Sequence, residues 1–189
     1  MKHLCRLLAV LLLALPLLAP RAAGAWPEPI HAFMEGMETG DAAKAASAFT
    51  ADATFTIPLE VLAPESKLAA PGVRQAGARM TFTGKAQIRA WLEEYIERYH
   101  GRMYLNGPAT VKGATVAARA TLTAGYLPDV QRGWIAGTGE FTLLAADGVT
   151  AFALVLPPAA LQQLREANPQ SYALNPPAFR GHPASARAL

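Results

Sequence analysis

Apolar side chains recur at Ile30, Phe33, Met34 and Met37, the i, i+3, i+4, i+7 spacing of a single helical stripe, while Glu35 and Glu38 fall outside it. This predicts a helix over Pro29–Thr39, ended by Gly40. Asp41 can accept hydrogen bonds from the free amides of a following turn, so a second, Ala-rich helix is expected through Ala42, Ala45, Ala46 and Phe49. A short strand, Ala53–Ile57, then stops at Pro58. Residues 59–80 contain Pro64, Pro71, Gly72 and Gly77 without a sustained period and read as a long excursion. Thr83-Gly84 opens a strongly amphipathic helix with Ile88, Trp91, Leu92, Tyr95, Ile96 and Tyr99 on one face. Arg89 with Glu93, and Glu94 with Arg98, are spaced as i,i+4 ion pairs outside that face. Burial of the large side chains dominates such a helix, because an exposed ion pair contributes on the order of a few tenths of a kcal/mol.

Beyond Gly101 the period shortens to two. Strands are predicted at Arg102–Leu105, Ala109–Lys112, Thr115–Ala124, Trp134–Leu144 and Val149–Leu156, with turns at Asn106-Gly107-Pro108, Lys112-Gly113 and Asp147-Gly148. The stretch Val149–Leu156 is apolar on both alternating faces, so both sides of that strand should be covered, one by helices and the other by a second subunit. A short helix through Leu161 and Leu164 follows Pro157-Pro158, and the Pro-rich residues 169–189 read as an extended tail. Helices first and a meander second give an α+β class: a curved, mostly antiparallel sheet on about three N-terminal helices, with a C-terminal extension.

The N-terminus changes the picture of the mature chain. Lys2 and Arg6, the apolar run Leu7–Leu18 and Ala23-Gly24-Ala25 have the layout of a secretory signal peptide cleaved after Ala25, which implies a periplasmic or secreted protein without an integral membrane segment. The single cysteine, Cys5, lies in this leader, so disulfides and thiolate chemistry are not expected afterwards. Three of the 17 basic side chains lie in the leader and none of the 14 acidic ones, which leaves the mature chain formally neutral. A neutral surface without a basic stripe argues against nucleic acid as a partner.

The wording GDAAKAASAFTADATFTIP, followed by FTGKAQIRAWLEEY, resembles the SnoaL-like and ketosteroid-isomerase-like branch of the nuclear transport factor 2-like superfamily. The resemblance implies one domain over residues 26–168, its sheet curled around helices to leave a conical pocket, with 59–80 as an insertion. In relatives that connection is usually shorter, which makes it a candidate lid or a plain surface insertion.

Ketosteroid isomerases place a base carboxylate just before the proline that ends the first strand, a tyrosine on the first helix and an assisting acid on a late strand. The positions here are Ile57, Phe33 and, counting back from Gly148, Glu140. Two of the three cannot transfer a proton, so that mechanism is not expected. Glu140 remains the candidate catalytic group, since a carboxyl among apolar walls can sit near neutrality; pairing with Arg119 or facing solvent is the alternative. Tyr95 and Tyr99 could direct hydroxyls inward. No metal or organic cofactor is called for: the mature histidines lie far apart, and Gly137-Thr138-Gly139 sits in a strand instead of opening a helix.

Three function classes remain. One is a binding protein holding a small apolar molecule against Phe33, Phe55, Ile57, Trp91, Tyr95, Phe141 and Phe152. The second is a cofactor-independent acid/base enzyme, an isomerase, cyclase or dehydratase, using Glu140 with Tyr95. The third is an interaction module, a homodimer through the outer sheet face.

Overall fold

The computed structural model describes residues 26–63, 65–68, 78–127, 135–144 and 147–167. The leader 1–25, the tail 169–189, most of 69–80 and Trp134 therefore lie largely outside the described residues. Helix α1 spans Glu28–Thr39, with a proline in its first turn where no amide is needed, and it buries Ile30, Phe33, Gly36 and Met37. Gly40 closes it in the left-handed region, at φ 78°. Asp41 caps helix α2, Ala42–Ser47, by accepting from the Lys44 amide at 2.8 Å. The two helices approach backbone to backbone: a Cβ on Gly36 would lie 2.3 Å from the Ala45 nitrogen.

Strand β1 runs Phe49–Pro58, so Phe49 opens the strand instead of ending the second helix. The reason is long-range. Phe49 pairs with Val149 in a parallel ladder, across a bulge between Phe49 and Thr54, and no local period reports that partner. After a 3-10 turn at Leu59–Val61, the 59–80 excursion yields a strand that the sequence reading missed, β2 Arg79–Thr83, antiparallel to β1. Helix α3, Lys85–Glu93, passes directly into a π-helical turn, Glu94–Arg98.

Strand β3 is continuous over Arg102–Lys112; the expected turn at Asn106-Gly107-Pro108 is absorbed as an irregularity in its pairing with β4, Thr115–Thr123. Strands β5, Ile135–Leu144, and β6, Gly148–Val155, complete a six-stranded sheet of order β2-β1-β6-β5-β4-β3, antiparallel except between β1 and β6. Helix α4, Pro158–Ala167, follows. One of the two ion pairs expected on α3 forms. Arg89 and Glu93 pair at 2.6 Å, whereas Arg98 lies over the Tyr99 ring and makes no bridge to Glu94.

The sheet carries its large apolar residues on the face toward α1 and α3, as alternation requires. Along β6, Phe152 and Leu154 are buried, but Ala151 and Ala153 are half-buried and Val155 is 40% exposed. Among the described residues the outer side of this strand is therefore only partly covered. Among the described residues no helix is long and apolar enough to cross a membrane.

The contact between α1 and α2 gives a test of the packing. Gly36→Ala is expected to cost about 1–3 kcal/mol, because the added methyl meets backbone that cannot rotate away. Urea unfolding would show a lowered midpoint at unchanged slope, and a midpoint equal to that of the unmutated protein would refute the close approach.

Candidate functional site

Seven side chains expected to line the pocket, Phe33, Phe55, Ile57, Trp91, Tyr95, Phe141 and Phe152, come together beneath the sheet. They are 0–1% exposed. Phe33 from α1 lies 5.6–6.5 Å, centroid to centroid, from Phe49, Phe55, Phe141 and Phe152. Phe55 stacks on Phe152 at 4.5 Å, and Trp91 on Tyr95 at 4.8 Å. A side chain bordering a space large enough for one water would keep accessible surface, and these keep essentially none. The expectation of a hollow walled by these residues is thus corrected: they meet one another and form packed core.

Tyr95 is held within that core. Its hydroxyl lies 3.1 Å from the Arg102 carbonyl and 3.0 Å from the Thr123 carbonyl, and burial pushes the phenol far above its ordinary pKa. It is a fixed, protonated donor to backbone, which suits a structural post between β3 and β4 and not the catalytic role expected of it.

Glu140 is also corrected. It stands between Phe141, which points to the core, and Gly139, whose Cβ would meet Leu105, Phe152 and Phe141, so its own side chain projects from the opposite face. There it is exposed, flanked by Ala117 and Ala153 on the neighbouring strands. No apolar wall surrounds it, and the argument for an acid/base role fails.

Polar groups gather instead where the sheet ends at Pro58, Arg102 and Thr123. The segment after β1 folds across this mouth with Leu59, Val61, Leu62 and Ala63 buried, and α4 packs on it through Leu164. Glu60 is turned inward, its side chain fully covered, with Arg165 of α4 at 3.7 Å. Tyr126 donates its hydroxyl to the Val61 carbonyl at 2.5 Å. Burial pushes this phenol well up, with Tyr95, Glu94, Tyr99 and Glu65 adding to the effect.

Tyr99 faces Tyr126 edge to face, at 4.9 Å and 81°. Its position is set by unusual backbone. The π-helical turn ends at Tyr99, His100 takes φ 54° although it is not glycine, and the Gly101 amide reaches back to the Tyr95 carbonyl at 2.7 Å. The Gly125 amide fixes the Tyr99 carbonyl at 2.8 Å. The Tyr99 hydroxyl itself is buried and makes no hydrogen bond among the described residues. Burial, followed by the Glu65 carboxylate, pushes it up, and Arg98 opposes them.

Sequence reasoning weighed Tyr99 but missed Tyr126, Glu65 and the Glu60–Arg165 pair. For Glu60 a signal existed: one carboxylate inside the apolar run Ile57-Pro58-Leu59 and Val61-Leu62. Tyr126 offered none, since it lies in a turn after β4 whose neighbours are set only by the fold.

Two substitutions separate the core from the outer face. Phe33→Ala is expected to cost about 3–5 kcal/mol, and Glu140→Gln to stay within about 0.5 kcal/mol. Denaturant titration measures both, and a Glu140→Gln loss comparable to that of Phe33→Ala would contradict the placement of Glu140.

No curated protein matches the chain. Among solved structures, TerC co-crystallised with polyporic acid superposes with a TM-score of 0.52 at 19% identity, over 74% of this chain and 96% of that one. A protein with a cystatin-like fold from Silicibacter pomeroyi superposes with a TM-score of 0.50 at 18% identity, over 76% and 84%. A nuclear transport factor 2-like protein from Cytophaga hutchinsonii gives 0.48 at 12%, over 71% and 92%. Residues 30–152, from the first turn of α1 to the middle of β6, match the SnoaL-like domain profile, and the chain belongs to that family.

Proposed function

We propose that this SnoaL-like domain binds a small, largely apolar molecule at the mouth of its sheet, against Tyr99 and Tyr126, beside the segment Leu59–Ala63 and α4. The observation that carries this reading is the Tyr99 hydroxyl, buried yet without a hydrogen-bond partner among the described residues. Such a group costs about 1–3 kcal/mol, and buried polar groups are otherwise nearly always satisfied. A ligand that supplies the missing partner recovers that cost. Aromatic surface with one or two placed polar groups is the composition of small-molecule sites. TerC, of similar fold, was co-crystallised with polyporic acid, which supports an organic ligand as the kind of molecule a protein of this fold takes. The charged, apolar and small-residue pattern of residues 1–25 supports export, so the molecule would be met outside the cytoplasm.

A second reading is favoured by a separate observation. On the outer sheet face Val155 is exposed beside the half-buried Ala153, Ala151 and Thr142, a patch of small side chains with Glu140 opposite Ala153, fit for a second copy. Val155→Lys should convert a dimer to monomer in sedimentation velocity, and an unmutated protein that is already monomeric at high concentration rejects this reading.

For the binding reading, Tyr99→Phe separates ligand from fold. Removing an unsatisfied hydroxyl should leave thermal stability unchanged or raise it by up to about 1 kcal/mol, while affinity for a bound molecule falls about five- to tenfold. Native mass spectrometry of gently purified protein, followed by titration with a broad panel of apolar molecules, supplies the readout. A protein that stays empty throughout overturns the proposal.

A further inference from the structure

From the outer face of the sheet we infer that a second copy docks there in one register, with Glu140 of each chain against Arg119 of the other and the two pairs related by a two-fold axis. This rests on the second-copy reading above and names the contacts that give it specificity. Strands β4, β5 and β6 carry two charged side chains between them, Arg119 and Glu140. Arg119 is exposed between the buried Ala118 and Ala120, so alternation sends it out through the same face as Glu140. The two stand diagonally apart on adjacent strands, since Ala117 is opposite Glu140 and Thr138 opposite Arg119. A diagonal of this kind spans about 7–8 Å, within reach of long side chains. Among the described residues neither group nevertheless forms a salt bridge. One positive and one negative charge are thus left unneutralised on a part of the sheet that is otherwise largely alanine and threonine.

A two-fold axis makes this surface its own complement. When two copies of one face pack together the axis lies in the plane of contact, and an axis bisecting the Glu140–Arg119 diagonal lays each glutamate over the other chain's arginine, twice in one dimer. Ala117 and Thr138, at the other two corners of the same square, fall near that axis and meet their own copies. Both are small and already half-buried, so the faces approach closely enough for the charges to meet. Val155, paired with Thr138 from the other side and 40% exposed, adds apolar area beside the axis. A register that set Glu140 against its own copy would oppose like charges, and one that covered either group with alanine would strip its water without a partner; both are disfavoured.

Charge reversal tests the register, read by sedimentation velocity on the full mature protein over a range of concentrations. Glu140→Arg alone and Arg119→Glu alone each set like charges opposite one another at both pairs, and each is expected to weaken self-association at least about tenfold, most strongly at low salt. An equimolar mixture of the two variants is expected to form a heterodimer within about threefold of the unmutated affinity, because one chain then brings only positive groups and the other only negative ones. The mixture separates pairing between chains from pairing within one, which mixing cannot restore. Circular dichroism checks that each variant is folded. Reversals that leave the dimer unweakened, or a mixture that associates no better than either variant alone, overturn the register and leave the second-copy reading standing. An unmutated protein that stays monomeric overturns both, whether the face is then covered by residues 168–189, by a different protein or by water.

Discussion

The fold depends on the contact of Phe33 with four other aromatic rings beneath the sheet. Phe33 comes from α1, Phe49 and Phe55 from β1, Phe141 from β5 and Phe152 from β6, so one cluster ties the first helix to three strands that are remote in sequence. Each ring removes a large apolar area from water, and the tilted and edge-to-face geometries add to that burial. Trp91 and Tyr95 extend the stack along α3. Small residues permit the closeness. A Cβ on Gly101 would lie 2.5 Å from the Tyr95 ring, and one on Gly139 would crowd Phe152.

A core filled in this way constrains where chemistry can reside. Packing at this density leaves no room for a substrate beside Phe33, and an ionised group placed there would lose its hydration without a partner. The titratable groups accordingly sit at the rim or outside. Glu140 projects from the far face, and Tyr95 is committed to two backbone carbonyls. The mouth is different because three segments end there and each leaves side chains half-buried. Its backbone is also less regular, with a π-helical turn and a left-handed His100 next to Tyr99, features that persist where surrounding structure holds them and that gather at functional sites. Glu60, its side chain covered, faces the partly exposed Arg165 of α4, a contact whose loss on the arginine side leaves a buried charge uncompensated.

Much of the architecture was legible residue by residue. The stripe of Ile30, Phe33 and Met37, the Gly40-Asp41 junction, the α3 face and the β4, β5 and β6 strands all follow from local period and capping, and all are present. The errors share a cause. Local preference puts Phe49 in a helix, Arg79 and Met80 in an excursion and Asn106-Gly107-Pro108 in a turn. In each case pairing with a distant strand overrode the local preference. The Glu94–Arg98 pair failed because Arg98 found the neighbouring Tyr99 ring. Of the site, Tyr99 could be noticed but not ranked, and Tyr126 and Glu65 could not be found, since nothing in their own segments reports that they approach.

The sequence by itself determined which side chains face inward, because the periods of helix and strand fix direction relative to the chain axis. It also determined the α+β order and the family. Only the tertiary structure decided whether inward-facing side chains enclose a space or touch across it. That outcome depends on the curvature of the sheet and on how near α1 is drawn by Gly36 against Ala45, distances set by contacts between segments far apart in the chain. The same dependence moved the candidate site from the interior to the mouth, where Tyr99, Tyr126 and Glu65 are neighbours in the folded protein alone.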